Sequence, residues 1–204
     1  MLRRVESFRH GSNSLLIFIG SKGVFASLTL GGYDSSRYEP NDVVFGLSGD
    51  QSRDLEVGLQ RITTISSDGT SIPLLPDPIL TFIDSTQAMI YLPTASCKVF
   101  ESTFGLLWNE TAQRYWVDEE LHNSLRATNP TITFTLSDSL SLGRTVDIVL
   151  PYASFDLLVQ PPAAERTTRL FPLRRASKKS QYTLGRTFLQ EAYVQQSHSP
   201  VLFH

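Results

Sequence analysis

Residues 82–93 of this chain read FIDSTQAMIYLP, and this stretch decides how the rest of the sequence is organised. Apolar residues lead up to Asp84, a polar corner follows the aspartate, and a second apolar run ends at Pro93. Short apolar runs bounded by polar or breaker residues are typical of strands joined by a turn. The stretch therefore predicts a strand, an acidic turn and a second strand.

The sequence on either side of this stretch extends the prediction. Pro76 and Pro78 precede the apolar run 79–83, so that run is predicted to be a strand with Asp84 at its end. After Pro93 the apolar residues repeat at helical spacing, at Ala95, Val99, Phe100 and Phe104. A short helix is predicted here, with Thr94 as its N-cap and Gly105 as its stop.

Most of the remaining chain has the pattern of strands. Five further segments are predicted to be strands, at residues 27–30, 55–60, 72–75, 131–136 and 146–150, and all but the apolar segment 72–75 show an alternating pattern. The second and third are separated by the polar turn Ser66-Ser67-Asp68-Gly69, which predicts an antiparallel pair. The fold class predicted is all-β with one or two short helices.

Three stretches resemble the C-terminal lobe of pepsin-like aspartic peptidases. Residues 82–93 resemble the second active-site loop, except that Thr86 stands where that family has glycine. Residues 27–34 resemble the strand and glycine pair that open the lobe. Residues 183–194, with Gly185, resemble the strand that crosses and braces the aspartate loop. The resemblance is greatest to a fungal type that has Asp-Ser-Thr in this loop.

This resemblance implies a domain organisation. Residues 24–194 are expected to form a single lobe of the pepsin-like acid protease fold. Residues 1–23 and 195–204 match no part of the family and are treated as an N-terminal appendage and a tail. A solitary lobe would leave strand edges and apolar surface uncovered, so self-association is expected.

The resemblance also implies a site and an activity. Asp84 would be a catalytic carboxylate and Ser85 its orienting hydroxyl, in the hydrolysis of peptide bonds. That chemistry needs two carboxylates sharing a proton, and no second Asp-Thr/Ser-Gly loop occurs in these 204 residues. The partners implied are a peptide or protein substrate and either a second copy of the chain, in a twofold dimer, or a separate N-terminal lobe.

Two functions therefore stay open at this stage. One is an aspartic-type endopeptidase family member that is inactive as a single lobe. The other is a non-catalytic peptidase-like module, in which Asp84 accepts backbone hydrogen bonds and the exposed face binds a partner. Thr86 favours the second, because its β-branched side chain stands where the family's glycine leaves room beside the carboxylates.

Composition argues against other classes of function. The formal net charge of −2 gives no electrostatic basis for binding nucleic acid, and the basic run 174–179 is predicted to be a solvated loop. Cys97 is the single cysteine, so no internal disulfide is expected, and neither a cofactor nor a metal site is predicted. His122 is predicted to lie on the surface. No phosphate-binding loop, dinucleotide fingerprint, zinc-peptidase helix or nucleophile elbow occurs.

The sequence says little about compartment. The apolar run 15–19 is too short to span a membrane or to serve as a secretory signal. An extracellular or secretory location is implied only by the resemblance. Asn109-Glu110-Thr111 is an acceptor sequence for N-linked glycan and becomes relevant if the chain enters the secretory pathway. Trp108 and Trp116, with Tyr115, are predicted to be core residues or the wall of a subsite.

Overall fold

A computed structural model of the chain describes residues 15–18, 27–30, 41, 43–50, 53–141, 143–162, 164–196 and 201–203. The described strands, in chain order, are β1 (Leu15–Phe18), β2 (Ser27–Leu30), β3 (Val44–Phe45), β4 (Glu56–Ile65), β5 (Ser71–Pro73), β6 (Ile79–Ile83), β7 (Ile90–Pro93), β8 (Leu107–Asn109), β9 (Arg114–Val117), β10 (Thr131–Ser137), β11 (Thr145–Pro151), β12 (Leu157–Val159), β13 (Thr168–Phe171), β14 (Leu173–Ala176), β15 (Thr183–Leu184), β16 (Val194–Gln196) and β17 (Val201–Phe203). The described helices are α1 (Thr94–Phe104), α2 (Glu119–Thr128) and the single turn α3 (Arg186–Leu189). None of these helices is long and apolar enough to cross a membrane. The fold class is all-β, as predicted.

The largest sheet has the strand order β11-β10-β4-β6-β15-β7-β14, with β5 paired to the far end of β4. The predicted antiparallel pair of β4 with β5 is present, but it joins β5 to residues 63–65 of β4 rather than to residues 55–60. Strand β10 also pairs with β11, with Phe134 opposite Ile148. The apolar side chains that alternate along β10 are buried, whereas Thr131 at its start is exposed. Burial of one face in this way is what fixes the register of an antiparallel pair.

The middle of this sheet is built from three strands that are distant in sequence. β15 lies between β6 and β7, parallel to β6 and antiparallel to β7. The chain therefore leaves β6, turns through residues 84–89 and returns as β7 with another strand inserted between the two. This confirms the prediction that residues 183–185 cross the aspartate turn.

A second sheet of five strands has the order β2-β1-β16-β17-β3. β1 lies in the segment 1–23 and β17 in the segment 195–204, and both pair with β16. Strand β2 confirms the predicted strand at residues 27–30, while the glycine pair that follows it lies outside the described residues. Both end segments thus contribute a strand to this sheet. The domain boundaries expected at residues 24 and 194 stay a prediction.

A third sheet of four strands, in the order β12-β13-β9-β8, packs with α1 on the main core. Phe100 and Phe104 of α1 contact Phe171 of β13 through their rings, and Phe171 stacks on Phe155. Cys97 on the same helix is completely buried. Burial raises the pKa of the Cys97 thiol to about 12, so it remains a protonated core group at neutral pH.

Helix α1 begins differently from the prediction. Thr94 is its first helical residue and is exposed, and the N-cap position is taken by Pro93, whose side chain makes no cap hydrogen bond. The predicted apolar face is also shifted, because Ala95 is exposed and Ser96 is buried. The Ser96 hydroxyl donates to the carbonyl of Leu74 at 2.6 Å, so a tertiary hydrogen bond makes its burial acceptable. Gly105 ends the helix with a φ of 71°, as predicted.

Two further predictions were wrong. The basic run 174–179 is not a loop throughout, because Arg174 to Ala176 lie in β14, which pairs in parallel with β7. His122 is not on the surface: only 3% of it is exposed. Its Nδ1 lies 3.3 Å from an Asp156 carboxylate oxygen and 3.4 Å from the Tyr152 hydroxyl, both of which come from outside its helix. In each case, the deciding partners are distant in sequence.

Candidate active-site loop

Asp84 follows directly after β6, where the sequence predicted it. Its backbone N–H donates to the carbonyl of Leu184 at 3.1 Å, which continues the parallel pairing of β6 with β15 by one residue. Ile83 immediately before it is buried, whereas Asp84 itself is partly exposed and Ser85 is exposed. The buried strand thus fixes the backbone of the aspartate and presents its carboxylate at the surface.

The carboxylate of Asp84 is held by the residue two positions further on. The backbone N–H of Thr86 donates to Oδ1 at 2.8 Å, and the Thr86 hydroxyl donates to the same oxygen at 2.6 Å. The loop is closed by the N–H of Gln87, which donates to the carbonyl of Asp84 at 3.3 Å. Oδ2 has no hydrogen-bond partner among the described residues. The carboxylate therefore has one oxygen held by the chain and one available to another group.

Ser85 and Thr86 differ from what the resemblance implies. No hydrogen bond joins the Ser85 hydroxyl to Asp84 in the described part of the chain, so its role as an orienting hydroxyl stays a prediction. Thr86 makes the contact instead. From the sequence, Thr86 is expected only to crowd the carboxylate, whereas in the structure it also donates to it. The sequence does carry a signal for the backbone bond, because an aspartate side chain in a turn commonly accepts from the N–H two residues further on.

Gly185 allows the crossing strand to approach the aspartate loop closely. A Cβ atom at this position would lie 2.4 Å from the carbonyl oxygen of Met89 and 2.6 Å from that of Gln87. The N–H groups of the next two residues donate to the loop, from Arg186 to Gln87 at 2.7 Å and from Thr187 to Ala88 at 3.2 Å. These contacts confirm that residues 183–187 brace the loop.

A side chain that the sequence analysis missed adds to this support. The Nη1 of Arg186 donates to the carbonyls of Ser85 and Thr86, at 3.1 Å and 2.9 Å. The guanidinium thus bonds to the two residues that follow the aspartate. Nothing local in the sequence could have indicated this contact, because Arg186 lies about 100 residues from its partners.

Two cavities formed by described residues lie away from Asp84. One, of about 530 Å³, is lined by Ile79 and Leu80 at the start of β6, the opposite end of that strand from Asp84. The other, of about 830 Å³, lies beside the β8–β9 hairpin and is lined by Trp108 and Trp116. Asp84 lines neither. In the described part of the chain, no group of histidine, cysteine, aspartate and glutamate side chains is arranged to hold a metal ion.

Comparison with known proteins identifies a family and a solved structure that the chain resembles. The family model described as eukaryotic aspartyl protease matches residues 17–198. Among solved structures, the chain is similar to an aspartic proteinase from Irpex lacteus, with a TM-score of 0.63 and 13% sequence identity. The match covers 95% of this chain and 56% of the proteinase, so the chain spans little more than half the length of that enzyme. No curated protein sequence matches it.

The fold, the aspartate at the end of a buried strand and the glycine strand that crosses its loop agree with the match to the family model. That match extends over most of the chain, including β1 and β16 of the five-stranded sheet. It therefore covers the whole of the largest sheet, the aspartate loop and part of the five-stranded sheet. The chain belongs to the eukaryotic aspartyl protease family, the pepsin-like aspartic peptidases.

Proposed function

We propose that this chain is the aspartate-bearing lobe of an aspartic-type endopeptidase, with Asp84 as one of two catalytic carboxylates. The observation that carries the proposal is the held carboxylate: Oδ1 accepts two hydrogen bonds from Thr86, and Oδ2 has no partner among the described residues. An aspartic peptidase needs a carboxylate in a fixed orientation with one oxygen turned toward an activated water. Gly185 and Arg186 supply the rigid support that such an orientation requires.

The lobe by itself is not expected to hydrolyse peptides. One carboxylate of the pair must accept a proton from the water while the other, protonated, donates to the scissile carbonyl. A lone Asp84 cannot take both roles in one step. The second carboxylate has to come from a second copy of this chain or from a separate lobe, and the substrate is a peptide or protein bound between the two. By family, the reaction takes place outside the cell or in the secretory pathway.

A second candidate is a non-catalytic module that binds peptides or proteins. The observation that favours it is the same 2.6 Å hydrogen bond from the Thr86 hydroxyl to Oδ1. A glycine at this position offers only its backbone N–H, so Thr86 adds one donor and the bulk of a β-branched side chain next to the carboxylate. In this alternative Asp84 is a structural residue of its own turn, and the lobe retains the fold without the chemistry.

The first experiment is cleavage of a broad peptide pool at acidic pH by the purified chain, compared with Asp84→Ala and with a statine-type transition-state mimic present. We expect no cleavage by the chain alone. Cleavage that the mimic blocks and Asp84→Ala abolishes would show that two copies form an active pair. Excess Asp84→Ala chain should then suppress the wild-type activity, because mixed pairs have a single carboxylate.

The variant Thr86→Gly separates the two candidates. It restores the glycine that the family has and removes the extra donor from Oδ1. If the lobe is a catalytic half, Thr86→Gly should bind the mimic at least as well as wild type, and Asp84→Ala should weaken that binding. Binding of the mimic that is unchanged by Asp84→Ala would favour the non-catalytic module. Ser85→Ala is included as the test of the orienting role expected for Ser85.

A further inference from the structure

The hairpin formed by β8 and β9 presents an unusual outer face. Leu107 pairs with Trp116 and Asn109 pairs with Arg114 across the two strands. Side chains two residues apart on a strand point to the same side, so these four share one face of the hairpin. Trp108 and Tyr115 lie on the opposite face, where their rings pack 4.9 Å apart against the core.

This outer face is apolar and open. Leu107 is 79% exposed, the largest exposed fraction of any large apolar side chain among the described residues. Trp116 is partly exposed, with the Arg114 guanidinium 5.8 Å from its ring. Both line the cavity of about 830 Å³, and so do Asn109 and Thr111. An exposed leucine beside an indole at the mouth of a cavity indicates a surface that something covers.

The same hairpin carries the only acceptor sequence for N-linked glycan in the 204 residues, Asn109-Glu110-Thr111. All three residues are exposed and lie at the turn of the hairpin. The side-chain oxygen of Asn109 accepts a hydrogen bond from the N–H of Ala112 at 2.8 Å. The amide nitrogen of that side chain has no partner among the described residues. The turn therefore presents the nitrogen that a glycosyltransferase modifies.

We infer that Asn109 is N-glycosylated and that the first N-acetylglucosamine of its glycan packs on Leu107 and Trp116. In the transfer, Nδ2 of Asn109 forms a bond to C1 of the sugar and loses one proton. The bond from C1 to the diphosphate oxygen of a lipid-linked oligosaccharide donor breaks, and the lipid diphosphate leaves with the electron pair. The reaction is made by the oligosaccharyltransferase of the secretory pathway, and it is independent of Asp84.

The geometry supports packing of the sugar on this face. Asn109 lies diagonally across the strand pair from Trp116, a separation of roughly 7–8 Å between such positions. A sugar ring attached to Asn109 spans that distance, and the C–H groups of a pyranose ring are the kind of surface that stacks on an indole. Glycosylation would thus cover the apolar residues that the hairpin leaves exposed.

Modification is tested by expression of the chain through a eukaryotic secretory pathway, followed by mass measurement before and after a glycan-removing enzyme. The wild type and Thr111→Ser, which preserves the acceptor sequence, should each lose the mass of one glycan. Thr111→Ala, which destroys the sequence and leaves Asn109 in place, should show no glycan. An unmodified wild type would overturn the inference. This result does not depend on peptidase activity or on the packing of Trp116.

Packing is tested by acrylamide quenching of tryptophan fluorescence in glycosylated wild type and unglycosylated Thr111→Ala. Quenching should be stronger in Thr111→Ala by a factor of about two, because one face of the Trp116 indole returns to solvent. The same pair of proteins with Trp116→Phe should show a much smaller difference, because the ring of the remaining Trp108 packs on Tyr115 and beside the Arg175 guanidinium. Equal quenching of wild type and Thr111→Ala, or a difference that Trp116→Phe leaves undiminished, would overturn the packing.

Discussion

Asp84 and Thr86 show how one residue changes the surroundings of the carboxylate that we propose to be catalytic. The backbone N–H of Thr86 donates to Oδ1, as any residue with an N–H could at this position. The Thr86 hydroxyl adds a second hydrogen bond to the same oxygen. Hydrogen bonds to an ionised carboxylate are among the stronger ones in proteins, so this pair fixes the carboxylate rotamer firmly. Compared with the glycine that the family has at this position, Thr86 fills space beside the carboxylate and adds a second hydrogen bond to Oδ1.

Gly185 carries the first prediction. Gly185→Ala should destabilise the lobe by roughly 1–3 kcal/mol or more, because the added Cβ would overlap two backbone carbonyl oxygens that cannot move independently. Gly49→Ala is the matched control, since nothing lies within 4 Å of a Cβ built there. Denaturant unfolding of both variants measures the difference. A Gly185→Ala protein as stable as Gly49→Ala would mean that β15 can withdraw from the loop without cost.

At the scale of elements, the β4–β5 turn depends on a single carboxylate. Asp68 accepts a hydrogen bond from the Ser66 hydroxyl and another from the N–H of Thr70, the latter at 2.9 Å. The hydrogen bond from Ser66, followed by those from Thr70, lowers the pKa of Asp68 from 3.8 to about 2. The turn is therefore stabilised by the ionised form.

The pH dependence that follows has a definite sign. Because the folded pKa of Asp68 lies below the unfolded value, its carboxylate stabilises the fold above about pH 4. That contribution is lost as the pH falls toward 2. The free energy of unfolding of Asp68→Asn should therefore lie below that of wild type near neutral pH and approach it at the acid end. Asp77→Asn, at an exposed position, controls for the loss of a surface charge, and urea unfolding across this range is the measurement.

The contact between α1 and β14 is anchored by Arg175. Its guanidinium donates to Glu101 at 2.8 Å and to Glu110 at 3.4 Å, and it lies 4.7 Å from the centre of the Trp108 ring. Glu101 also accepts from the Tyr115 hydroxyl at 2.6 Å. Burial, and then the bond to Glu101, raise the pKa of the Tyr115 phenol well above its usual range. The Glu101 carboxylate on α1 thus joins the helix to Arg175 of β14 and to Tyr115 of the β8–β9 hairpin.

This arrangement allows a comparison of two glutamates on one arginine. The side chain of Glu101 is 21% exposed and that of Glu110 is 80% exposed. Glu101→Gln should lower the free energy of unfolding by roughly 1–2 kcal/mol, because a charged acceptor of several hydrogen bonds is lost in a partly buried site. Glu110→Gln should change it by less than about 0.5 kcal/mol, as is usual for exposed pairs. Equal effects in chemical unfolding would show that burial does not decide the strength of this pair.

At the scale of the whole molecule, the five-stranded sheet ends on one side, within the described residues, at β3. Val44 on this short edge strand is 49% exposed. An edge strand with an exposed β-branched residue is available for pairing with another chain, and a lysine there opposes such pairing. The expected association of the lobe therefore has a candidate surface.

Light scattering over a concentration series tests this surface. Wild type should increase in apparent mass as its concentration rises, and Val44→Lys should shift that increase to higher concentration. Ile65→Lys is the matched control, because Ile65 is equally exposed, at 54%, but lies on β4 in the interior of the large sheet. A wild type that stays monomeric throughout would contradict the expectation. An equal response of the two lysine variants would place the contact elsewhere.

The local patterns of the sequence determined much of the architecture. Alternation along residues 131–136 and 146–150 predicted β10 and β11, because a sheet with one buried face imposes a period of two on its strands. Residues 79–83, bounded by prolines, predicted β6 and the position of Asp84. Both features depend on neighbours in the chain. The close crossing at Gly185 was expected only from the family resemblance, because the two carbonyl oxygens that it makes room for belong to Gln87 and Met89.

Only the tertiary structure decided the features that depend on distant partners. His122 is buried because its ring nitrogen lies beside the Tyr152 hydroxyl and the Asp156 carboxylate. Arg175 lies in a strand rather than in the predicted loop, because β14 pairs with β7 and its guanidinium donates to Glu101. The contacts of Arg186 with the aspartate loop likewise join residues about 100 positions apart. A polar side chain is buried or exposed according to the partners that folding brings to it. The spacing of polar and apolar residues along the chain does not specify those partners. The sequence alone therefore determined the strands and the aspartate turn, whereas tertiary packing determined which side chains surround that turn.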